Sequence, residues 1–90
     1  MTAIAIATQL IQAMGEDNGG QFRPTPAQHV ALVAGVERMM RAGCQFTPAQ
    51  IDDFAAAEES EVQAAFGHFD GFQAASDALD AIFNNEDPGQ

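Results

Sequence analysis

Apolar residues recur at helical spacing in four stretches of the chain, and no strand-like alternation persists in any of them. In the first, Thr2 to Met14, residues 3–7 alternate as a strand would, yet Ile4, Ala7, Leu10, Ile11 and Met14 share one helical stripe. The alanine content favours helix, and Gly15 is the natural stop. The second stretch opens at Thr25 and carries Leu32, Val33, Val36, Met39 and Met40 on its apolar face, ending at Gly43. Ala27, Ala31, Ala34 and Gly35 make a smooth flank that admits the close approach of another helix. Glu37 and Arg41 are spaced to pair on its surface. The third runs from Thr47 to Phe69 with Ile51, Phe54, Ala55, Val62, Ala65, Phe66 and Phe69 inward, and Glu58 interrupts the stripe. A bend near Glu58 to Ser60 is the consequence, with Ser60 and Gln63 placed to restart a helix. In the fourth, Asp70 is read as N-cap with Gln73 three residues on, Phe72, Ala75, Leu79, Ile82 and Phe83 inward, and Gln73, Asp77, Asp80 and Asn84 outward.

The helix starts are unusually well specified. Thr25-Pro26-Ala27-Gln28 and Thr47-Pro48-Ala49-Gln50 repeat one capping sequence, in which the threonine caps, the proline fits the first helical position and the glutamine reaches back. Phe46 before the second cap is placed to staple onto Ile51, and Asp52 and Asp53 sit where the helix dipole favours carboxylates. The echo is read as two helix starts rather than as a repeat architecture. Residues 15–24 form a loop rich in glycine with Phe22 anchoring its far end, and residues 84–90 form a fraying tail. The expected fold is all-α: a small bundle of four short helices, five where the third one breaks, around a single thin core. Residues 1–85 make one domain and 86–90 a flexible acidic tail.

Composition explains why that core is thin. Of the 90 residues 18 are alanine, and only 23 are Phe, Ile, Val, Met or Leu, which favours support from a partner or from a second copy. Charge divides the chain. Residues 1–45 balance Glu16, Asp17 and Glu37 against Arg23, Arg38 and Arg41, whereas residues 46–90 hold ten acids and no lysine or arginine, so the whole net charge of −10 lies in the second half. Such a half repels nucleic acid and anionic lipid and attracts basic protein surfaces, although the same charge also keeps an alanine-rich domain in solution. The single Cys44 makes no internal disulfide, and the apolar start lacks basic residues and is too short to span a bilayer. A cytoplasmic protein is expected, with no membrane partner and no direct contact to nucleic acid.

Candidate chemistry is sparse. Cys44 with His29 or His68 resembles a nucleophile and base in residue type only, because the thiol follows a helix C-terminus, where the dipole disfavours a thiolate, and no oxyanion donors are legible. His68, Asp70 and Glu61 lack ligand spacing, so no metal and no cofactor is expected. The phenylalanines are read as core, with Phe22 and Phe69 as the candidates for exposed anchors. What stands out is the acidic surface: Asp52, Asp53, Glu58, Glu59 and Glu61 on the third helix, Asp77 and Asp80 one helix away. Five acids over about 30 Å of helix give one charge per ~6 Å against one per ~1.7 Å of duplex DNA, a dilute imitation of a phosphate backbone. The expectation is a protein-binding domain without catalysis, a stoichiometric antagonist whose acidic face docks on the basic surface of a nucleic-acid-binding protein. The anti-defence inhibitors of phages and mobile elements, anti-CRISPR proteins among them, are of this physical class by analogy. The alternative expectation is an assembly adaptor or chaperone that forms a homodimer through Ala31, Ala34 and Gly35.

Overall fold

The computed structural model describes residues 2–17, 19 and 23–84; Phe22 and the 86–90 tail lie outside them. These residues form α1 (Ala3–Asp17), α2 (Pro26–Arg41), α3 (Pro48–Ala56), α4 (Glu59–Phe66) and α5 (Phe72–Phe83), with no strand among them. Helix α1 packs against both α2 and α3, and the most extensive contact in the molecule is that of α2 with α5.

Both capping sequences form. Thr25 Oγ1 accepts from Gln28 N at 3.2 Å while Gln28 Oε1 accepts from Thr25 N at 2.9 Å, and Thr47 and Gln50 repeat the exchange at 3.3 and 2.9 Å. Gln28 does more than cap. It is buried, and its Nε2 donates to the carbonyl of Ala81 at 3.5 Å, which ties the start of α2 to the end of α5. Helix α2 stops at Gly43 with φ of 110°, where Gly43 N donates to Met40 O and Cys44 N to Met39 O in a Schellman closure that turns Cys44 inward.

The break in the third apolar stretch is real. In one continuous helix Phe54, Glu58, Val62 and Phe66 would share a stripe, driving a carboxylate into the core. Ala57 and Glu58 instead adopt extended backbone, α3 ends, and α4 begins with Phe54, Val62 and Phe66 buried and Glu58 exposed. Glu58 rather than Ser60 occupies the N-cap, without a side-chain bond, and Ser60 lies inside the first turn.

Other expectations shift by a residue or a role. Helix α1 runs through Gly15 to Asp17, and its buried stripe is Ala3, Ile6, Ala7, Leu10, Ile11 and Met14; Ile4 is 60% exposed, because α2 and α3 lie on the side of Ala3 and Ile6. Val33 and Met40 on α2 are half-buried and Ala65 on α4 is exposed. On α5 the core takes Phe72, Ala75, Ala78, Leu79 and Ile82, and Phe83, at the edge of that stripe, is 46% exposed. The smooth flank of α2 is split: Ala27, Ala31 and Ala34 are exposed, but Gly35 is buried against Ala75.

Asp70 does not cap α5. The cap is Gly71, left-handed at φ of 91°, where an added Cβ would fall 2.5 Å from Arg38 Cβ and 2.7 Å from the Gly35 carbonyl oxygen. This close approach brings Asp70 to Arg38: Nη2 donates to Oδ1 at 2.9 Å and Nε to Oδ2 at 3.2 Å, while Glu37 and Arg41 make no such pair. The hydrogen bond first, and then the charge of Arg38, hold the Asp70 carboxyl below its ordinary value. A lowered folded-state pKa adds stability above the usual Asp range near pH ~4, and that stability is lost as pH falls through the lowered value. Asp70→Asn is therefore expected to lower Tm slightly at about pH 7, with the gap to the parent closing near pH ~2 and shrinking in salt. Calorimetry at both pH values checks this; a gap that persists in acid contradicts it.

Candidate acidic docking face

All seven acids singled out in the sequence are exposed: Asp52 and Asp53 on α3, Glu58 at the cap of α4, Glu59 and Glu61 in its first turn, Asp77 and Asp80 on α5. The break after α3 rearranges them. A continuous helix would align Asp52, Glu59 and Gln63, and α3 and α4 as separate helices do not keep that stripe.

Four of the acids border two grooves whose walls mix apolar and polar surface. Glu59 and Asp80 line the larger, about 280 Å³ in volume, over a floor of Phe54, Val62, Phe72 and Leu79. Asp53 and Glu61 line the smaller, about 190 Å³, between α3 and α4 beside Val62, Ala65 and Phe66. Asp52, Glu58 and Asp77 line neither groove, and Asp77 Oδ1 accepts from Gln73 Nε2 at 2.8 Å along α5. Sequence periodicity shows the acids but not the grooves, since residues of both α3 and α4 line each of them and residues of α5 line the larger as well.

The floor of the larger groove is part of an aromatic cluster. Phe54 meets Phe46, Phe66 and Phe72 edge-on, with ring centroids 6.1, 5.2 and 5.9 Å away, so the surface that carries the acids rests on rigid packing. Phe46 is buried with φ of +48° immediately before the Thr47 cap, a left-handed conformation that its burial holds in place. Phe69 is half-buried against the ring of His68, 4.1 Å between centroids.

The remaining candidates are dispersed. His68 is exposed, Asp70 is bound to Arg38, and among the described residues no three His, Cys, Asp or Glu gather as a metal site. Cys44 is buried, and burial pushes its thiol up from the ordinary value, opposed in part by a backbone hydrogen bond from Phe46. The thiol is expected to react with an aromatic disulfide reagent roughly a hundredfold or more slowly in the folded chain than in urea, the factor that about 3 kcal/mol of local opening implies. Equal rates would contradict the burial. Among the described residues no helix is long and apolar enough to cross a membrane.

Comparison of the chain with protein-family models, with curated proteins and with solved structures finds no match in any of the three.

Proposed function

We propose that the protein is a non-enzymatic antagonist, acting in the cytoplasm, whose acidic face docks on a basic, nucleic-acid-binding surface of a partner protein. The observation that carries this reading is the placement of the acids. Seven exposed carboxylates stand on α3, α4 and α5 in a half of the chain that has no lysine or arginine, and four of them border grooves. Arg38 is engaged by Asp70, which is not one of the seven.

The mechanism is occlusion. Carboxylates take the places of phosphates opposite Lys and Arg side chains of the partner, and steer its approach from a distance. Phe54, Val62 and Phe72 line the grooves beside the acids, so that contact there is not purely electrostatic. Exposed charges confer their effect through the on-rate, and the complex weakens as salt rises. The phage or mobile-element setting follows by analogy from this physical class.

Capture from the lysate of the source organism or its host tests the reading, with Asp52→Asn, Asp53→Asn, Glu59→Gln and Glu61→Gln combined as the control. The four side chains are exposed, but Glu59 and Glu61 stand in the first turn of α4, so thermal unfolding of the variant is measured beside the capture to show that it is folded. The parent is expected to retain a basic nucleic-acid-binding protein that the variant releases. Equal recovery by both forms would show that the acids only solvate the domain.

A further inference from the structure

On the neutral half of the molecule a second surface is left uncovered. Ile4 at the start of α1 and Val30 on α2 are 60% and 66% exposed, and with Val33 and Ala34 they line a hollow of about 300 Å³ bordered by His29 and Glu37. None of the seven acids lines it. The chain's net charge of −10 is thus not concentrated where the apolar side chains emerge.

The order of residues along α2 specifies what fits there. His29 and Glu37 lie four residues to either side of Val33, with Val30 and Ala34 between them. Such a face is complementary to itself when turned end over end. A two-fold axis through Val33 sets His29 of each copy opposite Glu37 of the other, at both ends of an apolar centre, as an isologous contact requires. The small Ala34 near the crossing permits helix axes about 8–10 Å apart. We propose that two copies of this chain associate through α2, antiparallel and crossing at Val33, with His29 donating to Glu37 of the second copy. The acidic faces on α3, α4 and α5 are not consumed by that contact, so a dimer presents two of them. One helix face lies at the low end of interface size, under roughly 1,200 Å² in total, so the association is concentration-dependent.

Sedimentation equilibrium of the full chain from about 10 μM to about 1 mM reads the association directly, a range suited to an interface of this size. The parent is expected to dimerise. His29→Glu places like charges opposite each other at both ends and should weaken association by about tenfold or more. Adding Glu37→Lys to it sets opposite charges facing each other only in the antiparallel register, and should return association to within about threefold of the parent. Val30→Asp should leave a monomer. Val30 and Glu37 are exposed and His29 is half-buried, and unchanged thermal unfolding identifies each variant as folded. A parent that stays monomeric throughout the range, or a double variant no better than His29→Glu, overturns the proposal.

Discussion

Phe54→Ala is expected to destabilise the protein by about 3–5 kcal/mol, the range for emptying an aromatic site in a core that cannot collapse around it. Phe54 is buried, and its ring touches those of Phe46, Phe66 and Phe72, which come from the turn before α3, from α4 and from α5. Its removal loosens all three at once. A domain of this length has a total stability of roughly 5–13 kcal/mol, so the variant should melt some ~15–30 °C lower or be partly unfolded at room temperature. Phe54→Leu keeps most of the volume and should lose far less. Urea unfolding followed by circular dichroism measures both. A loss under about 1 kcal/mol for Phe54→Ala would mean that α4 does not pack where the structure places it. The consequence reaches the docking face, because Phe54 and Phe72 floor the groove that Glu59 and Asp80 line.

Gly35→Ala should have the second largest effect, against the usual sign. In an exposed helix interior the change stabilises by up to about 1 kcal/mol. At Gly35 the new Cβ would fall 2.5 Å from Ala75 N and 2.8 Å from Ala75 Cα. These are backbone atoms of α5 and cannot rotate away, so α2 and α5 must separate along their contact. Overpacking of this kind costs about 1–3 kcal/mol after the gain in propensity is offset. Adding Ala75→Gly should rescue little, since the clash is with the backbone rather than with the methyl group alone. Ala34→Gly, one position away and exposed, provides the contrast: it should lose only the propensity difference of about 1 kcal/mol. If Gly35→Ala proved stabilising, the close crossing of α2 and α5 would be wrong.

Gly35 also marks where sequence reasoning stops. The small residues of α2 announce that a helix can come close, and one does, but periodicity does not distinguish a helix of the same chain from one of another. Local chemistry was legible: both Thr-Pro-Ala-Gln starts cap as their residue types dictate, Gly43 closes α2, and Glu58 breaks the third stretch because a carboxylate cannot share a stripe with Phe54 and Val62. Roles that depend on distant partners were not. Asp70 resembles an N-cap in sequence and is instead held by Arg38, 32 residues away. Ile4 and Phe83 lie at the margins of apolar stripes, where only the position of the neighbouring helices decides which side is covered. The same holds for the acids. Their number and exposure follow from composition, whereas the grooves that Glu59 and Asp80, and Asp53 and Glu61, line follow from where α4 meets α3.

The central claim is that these carboxylates compete for a surface meant for phosphate, and competition on the captured partner measures that most directly. The partner is loaded with a labelled oligonucleotide, the chain is titrated in, and release is followed at two salt concentrations. Stoichiometric release by the parent is expected, and none by the form with Asp52, Asp53, Glu59 and Glu61 as amides; capture of the oligonucleotide-free partner by the parent is expected to weaken at the higher salt. Binding of the parent with the oligonucleotide still in place, or release unchanged by the four amides, would contradict it.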